Sequence, residues 1–416
     1  MKVAGFFSGI GGIELGFKQA GFEIIYSNEI DNKAIETFKL NHSNKIVIDD
    51  IKNINEKDVP DVDVIVGGFP CQAFSIAGYR KGFEDERGEV FFQLVRIIRK
   101  KMPRVIFMEN VKNLLTHDKG NTYSVIKKVL EEMGYFLKVK ILNASEYGNI
   151  PQNRERIYIV GFKNKEDYCR FIFPNSIELK KQIGNIINFN EKVDEKYYYT
   201  ENNCKFYNIL KNNIKNKNTI YQWRRKYLRG NKSNLCPTLT ANMGTGGHNI
   251  PIVLTKYGIR KLTPKECLLL QGYPEDFILP KELANSHLYK QIGNSVVVPV
   301  IKRIAENEID KFSIKGVRKL LTKEERKKLE EELFIKEIVE SIKGQLMTKH
   351  DMDIVIPEKA YNFIPQIENE LKKAGITLKH PLRECIDDIS PYAKWSDKLK
   401  RDKEKSKQKY FGRERE

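Results

Sequence analysis

The sequence lacks the marks of several common protein classes. Its six cysteines, at 71, 169, 204, 236, 267 and 385, form no CxxC pair and sit by no histidine cluster. That excludes a disulfide framework and structural zinc. Six histidines in 416 residues leave little for a His-based site, so no metal is expected. No apolar run approaches the roughly 18 residues of a membrane span. The start, MKVAGFF, enters a strand-like stretch without the layout of a signal peptide, and a cytoplasmic protein is the expectation. There is no internal repeat, no dinucleotide GxGxxG and no P-loop Lys-Ser/Thr pair, so a phosphate cradle is poorly supported.

Positive charge is what the chain has in excess. Lys and Arg total 73 against 55 Asp and Glu. Residues 163–260 hold 18 basic and 7 acidic residues, whereas 319–416 hold 23 and 20. A basic excess concentrated in a quarter of the chain suits a polyanion, with nucleic acid the leading case. A basic surface in a Lys-rich, Asn-rich protein accounts for the charge equally well.

Strand-like and helix-like pieces alternate over the first 160 residues. Strands are expected at 2–7, 23–27, 62–66, 104–108, 135–142 and 156–162, and helices at 13–20, 31–41, 87–101 and 122–133. Gly21 and Gly134 suit helix ends, and Asp31 suits a helix start. This alternation predicts an α/β domain with a mostly parallel sheet. Residues 180–235, rich in Asn, Lys and Tyr, read as loops and short strands of a smaller domain. Order returns at TPKECLLLQ, with Thr263 as N-cap and Pro264 at N1. Helical runs follow at about 295–311 and 322–343, and 394–416 is a charged tail.

Candidate chemistry gathers where strands end. FFSGIGG (6–12) is a strand entering a glycine turn, which allows close approach of a ligand. Glu29, some twenty residues on, ends the second strand, and Asp50 a third. An acid in the first of these places grips ribose hydroxyls. Together they would form an adenosine site without a phosphate clamp, although an ordinary turn with two surface acids fits as well. Cys71, in GGFPCQAFS, follows the strand VDVIV at the carboxyl edge of the sheet. Most free cysteines are small buried apolar residues, and as a nucleophile this one would need its thiolate activated. Glu109, in MEN, ends another strand on the same edge. Dehydrated there, it would have a raised pKa, and a salt-bridged structural role is as good a reading. PQNRERIYIV places Gln152, Arg154 and Arg156 at alternating positions on one strand face. Two guanidiniums there suit phosphate or carbonyl oxygens.

Taken in order, FFSGIGG, YSNEID, GGFPCQAFS, KGFEDERGEVFF, MENVKN, PQNRERIY, RKLTPKECLLLQGYP and QIGNSVVVPV resemble the bacterial cytosine-C5 DNA methyltransferases of restriction–modification systems. The resemblance covers residues 1 to about 312. It implies a Rossmann-like methyltransferase domain that uses S-adenosylmethionine, built from 1–165 and 256–312. Residues 166–255 would be a smaller, mostly irregular or β target-recognition domain, and 313–416 a C-terminal helical extension. The cofactor would be held by Phe7, Ser8, Gly9, Ile10, Gly11, Gly12, Glu29, Ile30, Asp50 and Ile51, completed by Asn294, Ser295 and Val296. Ile30 stands where some members carry a tryptophan beside the adenine. Cys71 would be the nucleophile, Glu109 would engage N3 of the cytosine and Arg156 its O2. Arg154 and Gln152 would brace the catalytic loop and the backbone. Residues 76–90 would close over the site, hinged at Gly78, Gly82 and Gly88.

The segment 221–251 is similar to the recognition segment of the subgroup that methylates sites beginning CC and ending GG. Arg224, Arg225 and Arg229 would contact bases, or only phosphates, while Ser75, Gln152, Thr238 and Thr240 would also touch DNA. The partner implied is double-stranded DNA, bound by a monomer, with a cognate restriction endonuclease as functional partner. Two other readings stand beside it: a transfer-RNA cytosine-C5 methyltransferase, which shares the catalytic core, and a non-catalytic DNA-binding regulator on the same scaffold.

Overall fold

In a computed structural model, the described residues are 1–70, 89–217, 219–224, 227–231, 233–244, 250–307, most of 331–342, 358–376 and Leu382. The chain divides into two compact units, Met1–Ile314 and Lys315–Glu416.

The first unit is organised by a seven-stranded sheet. Its strands are β1 (Lys2–Phe6), β2 (Glu23–Glu29), β3 (Ile46–Ile48), β4 (Val64–Gly67), β5 (Val105–Val111), β6 (Phe136–Asn143) and, after the two-residue β7 (Gln152–Asn153), β8 (Glu155–Phe162). The spatial order is β3-β2-β1-β4-β5-β8-β6. The first five of these run parallel, and β8 runs antiparallel to both β5 and β6. The central strands are buried on both faces, which is why they read as continuous apolar runs. Alternation splits them between two cores. Ile65, Ile106 and Met108 join Phe6 and Leu94 on one side. Val64, Val66, Val105 and Phe107 join Val3 and Phe17 on the other.

Helices cover both faces: α1 (Gly12–Gln19), α2 (Asn32–Asn41), α3 (Glu89–Lys101) and α4 (Asn121–Glu132). The predicted boundaries hold to within a few residues. Asp31 caps α2 by accepting from the amides of Lys33 and Ala34. Gly21 and Gly134 take the left-handed conformation expected after a helix end, at φ 89° and 86°.

A smaller sheet, ordered β10-β9-β12-β13, comprises β9 (Tyr221–Arg224), β10 (Tyr227–Gly230), β12 (Pro251–Thr255) and β13 (Gly258–Lys261). Its apolar face holds Tyr221, Trp223 and Ile252, and Phe206 stacks on Trp223 at 4.1 Å between ring centroids. Between β10 and β12, β11 (Cys236–Pro237) pairs in parallel with β7, setting Cys236 beside Gln152. This pairing ties the smaller sheet's connecting loop to the chain that leads into β8.

Beyond β13, α5 (Pro264–Leu269) begins with Thr263 and Glu266 in a reciprocal capping box. Glu266 also receives two hydrogen bonds from the fully buried Arg260, at 2.8 and 2.6 Å. A further helix, α6 (Asn285–Asn294), was not anticipated, and the helix expected from about 295 begins at 298. The α6 stretch is short and polar, and it buries Leu288, Tyr289, Gln291, Ile292 and Gly293. The helix from 298 returns Val300, Ile301 and Ile304 to the core around Phe17.

Within the second unit, Ile335, Ile338, Val339 and Ile342 share an apolar cluster with Ile364, Ile367 and Leu371 of the helix Ile364–Lys373. The charged tail at 394–416 lies outside the described residues.

Candidate active site and nucleic-acid interface

The carboxyl ends of β1, β2, β4 and β5 lie on one edge of the sheet, where open α/β folds bind ligands. At β1 the glycine turn is held by left-handed residues, with Phe7, Gly9 and Gly11 at φ 56°, 54° and 81°. Glu29 fastens the turn to β2. Its Oε2 accepts from Gly9 N at 2.7 Å, and its Oε1 accepts from the amides of Ile30 and Asp31. A Cβ built on Gly9 would meet nothing within 4 Å, so open space fronts the turn. Beside it Ile30 is 61% exposed, an apolar surface at the rim of a charged edge. Asp50 caps the turn Ile51–Asn53 through Lys52 N, with Ile51 buried beneath. Open space, an anchored carboxylate and an exposed apolar side chain fit a nucleoside.

The end of the unit completes this wall. A Cβ on Gly12 would fall on the Tyr273 hydroxyl, 2.7 Å from Ser295 Oγ and 3.0 Å from Val296. Tyr273 and Ser295 share a hydrogen bond of 2.5 Å. Asn294, the last residue of α6, is exposed. Two titratable groups, the half-buried His42 and the buried Glu14, lie within or against this turn. The His42 Nε2 is 3.2 Å from Ile10 O, and burial holds the imidazole down at about 4, so it is neutral. Glu14, in the first turn of α1, is pushed up to about 7 by burial.

Two strands away from β1, Glu109 sits at the end of β5 and is 8% exposed. Burial raises its pKa against the opposing pull of Arg156 and Arg154. Arg156 Nε approaches Glu109 Oε1 to 3.2 Å, without hydrogen-bond alignment at that oxygen. The charge partner and the dehydration foreseen as alternatives are both present. The adjoining Asn110 donates to Phe69 O at 2.9 Å, and a Cβ built on Gly68 would lie 3.6 Å from Glu109 Oε2. The Asn110 hydrogen bond grips the chain just before Cys71. Cys71 itself, Ser75 and the proposed hinges at Gly78, Gly82 and Gly88 lie outside the described residues.

The PQNRER side chains part company. Gln152 is fully buried. Its Nε2 donates to Leu270 O at 2.7 Å and to Gln271 Oε1, while its Oε1 accepts from Leu239 N. Its contacts are those of a residue bracing neighbouring backbone, with no surface exposed for the DNA contact expected of it. Arg154 is also buried and donates to Leu239 O at 2.7 Å, to Gly293 O at 3.2 Å and to Ser295 O. It clamps three backbone carbonyls. Of the two arginines, Arg156 is the one in ion-pair contact with Glu109.

The smaller sheet brings Arg224, Arg229, Thr238 and Thr240 around one cleft of about 260 Å³, with Gln222 and Asn153 also lining it. Thr238 Oγ1 donates to Asn153 O at 2.6 Å, joining the cleft to β7. Arg225 and residues 245–247 lie outside the described residues. By contrast Cys236 and Cys267 are buried packing residues whose thiols are pushed up by desolvation.

Asn110, Gln222, Tyr273, His42 and Glu14 were not singled out from sequence. Asn110 and Tyr273 stand inside motifs that were read, MEN and QGYP. His42 carried no local signal, since only folding brings it to the turn.

Such an edge suits an open α/β fold that binds a nucleoside-type ligand beside a dehydrated acid. Residues 1–310 match the model of the C-5 cytosine-specific DNA methylases. Among curated relatives, the Type II methyltransferase M.Bsp6I of Bacillus sp. (strain RFL6) is 61% identical over 309 residues, covering 74% of this chain and 98% of that protein. The Type II methyltransferase M1.ScrFI of Lactococcus lactis subsp. cremoris is 42% identical over 312 residues, covering 74% and 78%. A solved structure of a DNMT2 variant from Spodoptera frugiperda shares the fold with a TM-score of 0.58 at 21% identity, covering 74% of this chain and 99% of that one. The chain belongs to the C-5 cytosine-specific DNA methylase family. It is a DNA (cytosine-5-)-methyltransferase of the restriction–modification type, and its methyl donor is S-adenosylmethionine. Among the described residues no helix is long and apolar enough to cross a membrane.

Proposed function

We propose that the enzyme methylates C5 of a cytosine swung out of a short duplex site, by covalent catalysis through Cys71. Cytosine C5 is a poor nucleophile. Addition of the Cys71 thiolate to C6 makes C5 electron-rich, and loss of the C5 proton with elimination of the thiol then restores the ring. Bound S-adenosylmethionine supplies an electrophilic methyl group. Glu109 engages N3 and Arg156 engages O2, stabilising charge that builds there. The supporting observation is the dehydrated Glu109 with Arg156 at 3.2 Å, directly beside the chain that leads to Cys71. The base must leave the stack to reach such a site, at a cost of a few kcal/mol.

The glycine turn Phe7–Gly12, with Glu29, Ile30, Asp50, Ile51 and Asn294–Val296, holds the methyl donor: the acid for ribose, Ile30 for adenine. Residues 166–255 form the target-recognition part, and its arginines face DNA. The CC…GG type of site rests on the likeness of 221–251 to that subgroup. We place the enzyme in the cytoplasm as a monomer, protecting DNA against a cognate endonuclease. The decisive experiment places 5-fluorocytosine at the target, because fluorine cannot leave as a proton does. A covalent adduct on a denaturing gel is expected, and no shifted band would remove the mechanism. Bisulfite sequencing of DNA from an expressing host identifies the site and the modified base together.

A further inference from the structure

The side-chain amide of Asn153 has a settled orientation. Asn143, the last residue of β6, accepts at its Oδ1 from the backbone amides of Ser145 and Arg154, at 3.3 and 3.2 Å, and from Ser145 Oγ at 3.2 Å. A backbone N–H can only donate, so that atom of Asn143 is its oxygen and the other is its NH2. The NH2 donates to Asn153 Oδ1 at 2.9 Å. The Asn153 oxygen is thereby engaged, and both hydrogens on its Nδ2 are left without an acceptor among the described residues.

Asn153 is exposed and lines the cleft of about 260 Å³ together with Arg229, Thr238 and Thr240. Its backbone is pinned as well. Pro237 of β11 pairs with it, and Thr238 Oγ1 donates to its carbonyl at 2.6 Å. A fixed backbone and a tied oxygen present a donor-only amide to the cleft. Reading adenine takes a donor and an acceptor from one amide, and the oxygen here already holds Asn143. A phosphate oxygen needs only donors, and asparagine is among the side chains that commonly supply them.

We infer that Asn153 is a further DNA-contact residue, its side-chain NH2 donating to a backbone phosphate of the bound duplex. The inference rests on the reading that this cleft faces DNA. Such a contact is blind to sequence, and a neutral amide releases no counterion when it forms.

The test is binding of the full chain to a fluorescent duplex carrying its methylated site, and to duplexes altered at single base pairs, by anisotropy over a series of salt concentrations. Asn153→Ala should weaken binding about fivefold, to every duplex alike, and leave the salt slope as it is. Asn153→Asp keeps the shape but sets a negative charge against the phosphate, and should cost roughly tenfold or more. Asn153→Lys should restore binding and steepen the slope of log K against log salt by about 0.9, the value for one phosphate neutralised. The slope does not depend on the folded fraction, so a partly folded variant still decides. If Ala, Asp and Lys all weaken binding equally at an unchanged slope, Asn153 only ties β7 to its surroundings and the inference is overturned. A loss confined to one base pair would assign the amide to a base edge and overturn it too. Arg229→Ala separates this inference from the reading beneath it. If that variant weakens binding while Asn153→Lys leaves the slope fixed, the inference falls alone. If neither Arg229→Ala nor any change at 153 alters binding, the cleft does not face DNA and the inference falls with that reading.

Discussion

Arg156 and Glu109 meet diagonally across the antiparallel pair β5–β8: Glu109 lies opposite Tyr158, Arg156 opposite Val111, and 3.2 Å separates Nε from Oε1. Dehydration pulls the carboxyl toward its neutral form and the guanidiniums pull it back. A group held between these influences is suited to give or share a proton at a ring nitrogen. Glu109→Gln should therefore lower kcat by roughly 10²–10³-fold while DNA binding in a gel-shift assay stays within a few-fold of the parent. Unchanged turnover would remove Glu109 from the chemistry.

Cys71→Ala should abolish methyl transfer and leave DNA binding detectable. Filter-bound tritium from labelled methyl donor is the measurement, and residual turnover would unseat the nucleophile.

Arg154→Ala should destabilise the fold by on the order of 3 kcal/mol, because three backbone carbonyls lose a buried charged donor together. Arg154→Lys should recover only part, since an ammonium cannot reproduce the planar fork. The midpoint of urea unfolding gives the comparison.

Glu14 contributes a pH dependence. Its carboxyl is raised from 4.5 to about 7 by burial beside the glycine turn, with Glu29 adding to the rise and Ser8 and Ser27 opposing it. A carboxyl raised on folding favours the folded state in its protonated form. That contribution is full below about pH 4.5 and is lost as the pH climbs through about 7, a total of about 3 kcal/mol. Glu14→Gln should stay neutral throughout, so its advantage over the parent in thermal melts should grow from pH 5 to pH 8. Parallel profiles would show that the group does not titrate in this window.

Gly12→Ala tests the wall shared by the turn and the returning chain. The added methyl would strike the Tyr273 hydroxyl and crowd Ser295. KM for S-adenosylmethionine should rise roughly tenfold, within the range of overpacking costs, with kcat changed less.

Much of this was legible in the linear chain. The central strands announce themselves as apolar runs because helices bury both faces, and Gly21, Asp31, Thr263 and Pro264 mark helix ends through local backbone chemistry that needs no distant partner. The strand-end placement of Glu29, Asp50 and Glu109 follows from that pattern alone. Local pattern did not reveal the polar α6, nor where Gln152 and Arg154 would point. Period two puts both on the face of Arg156, but β7 and β8 are separate strands, and the carbonyls that claim those side chains arrive from residues 239, 270, 293 and 295. Sequence by itself determined the element order and the residue types at the strand ends, since both depend on neighbours along the chain. Tertiary structure alone decided which polar groups are dry, which are spent on distant backbone and which remain facing a cleft. Burial and hydrogen-bond partnership are set by residues a hundred positions away.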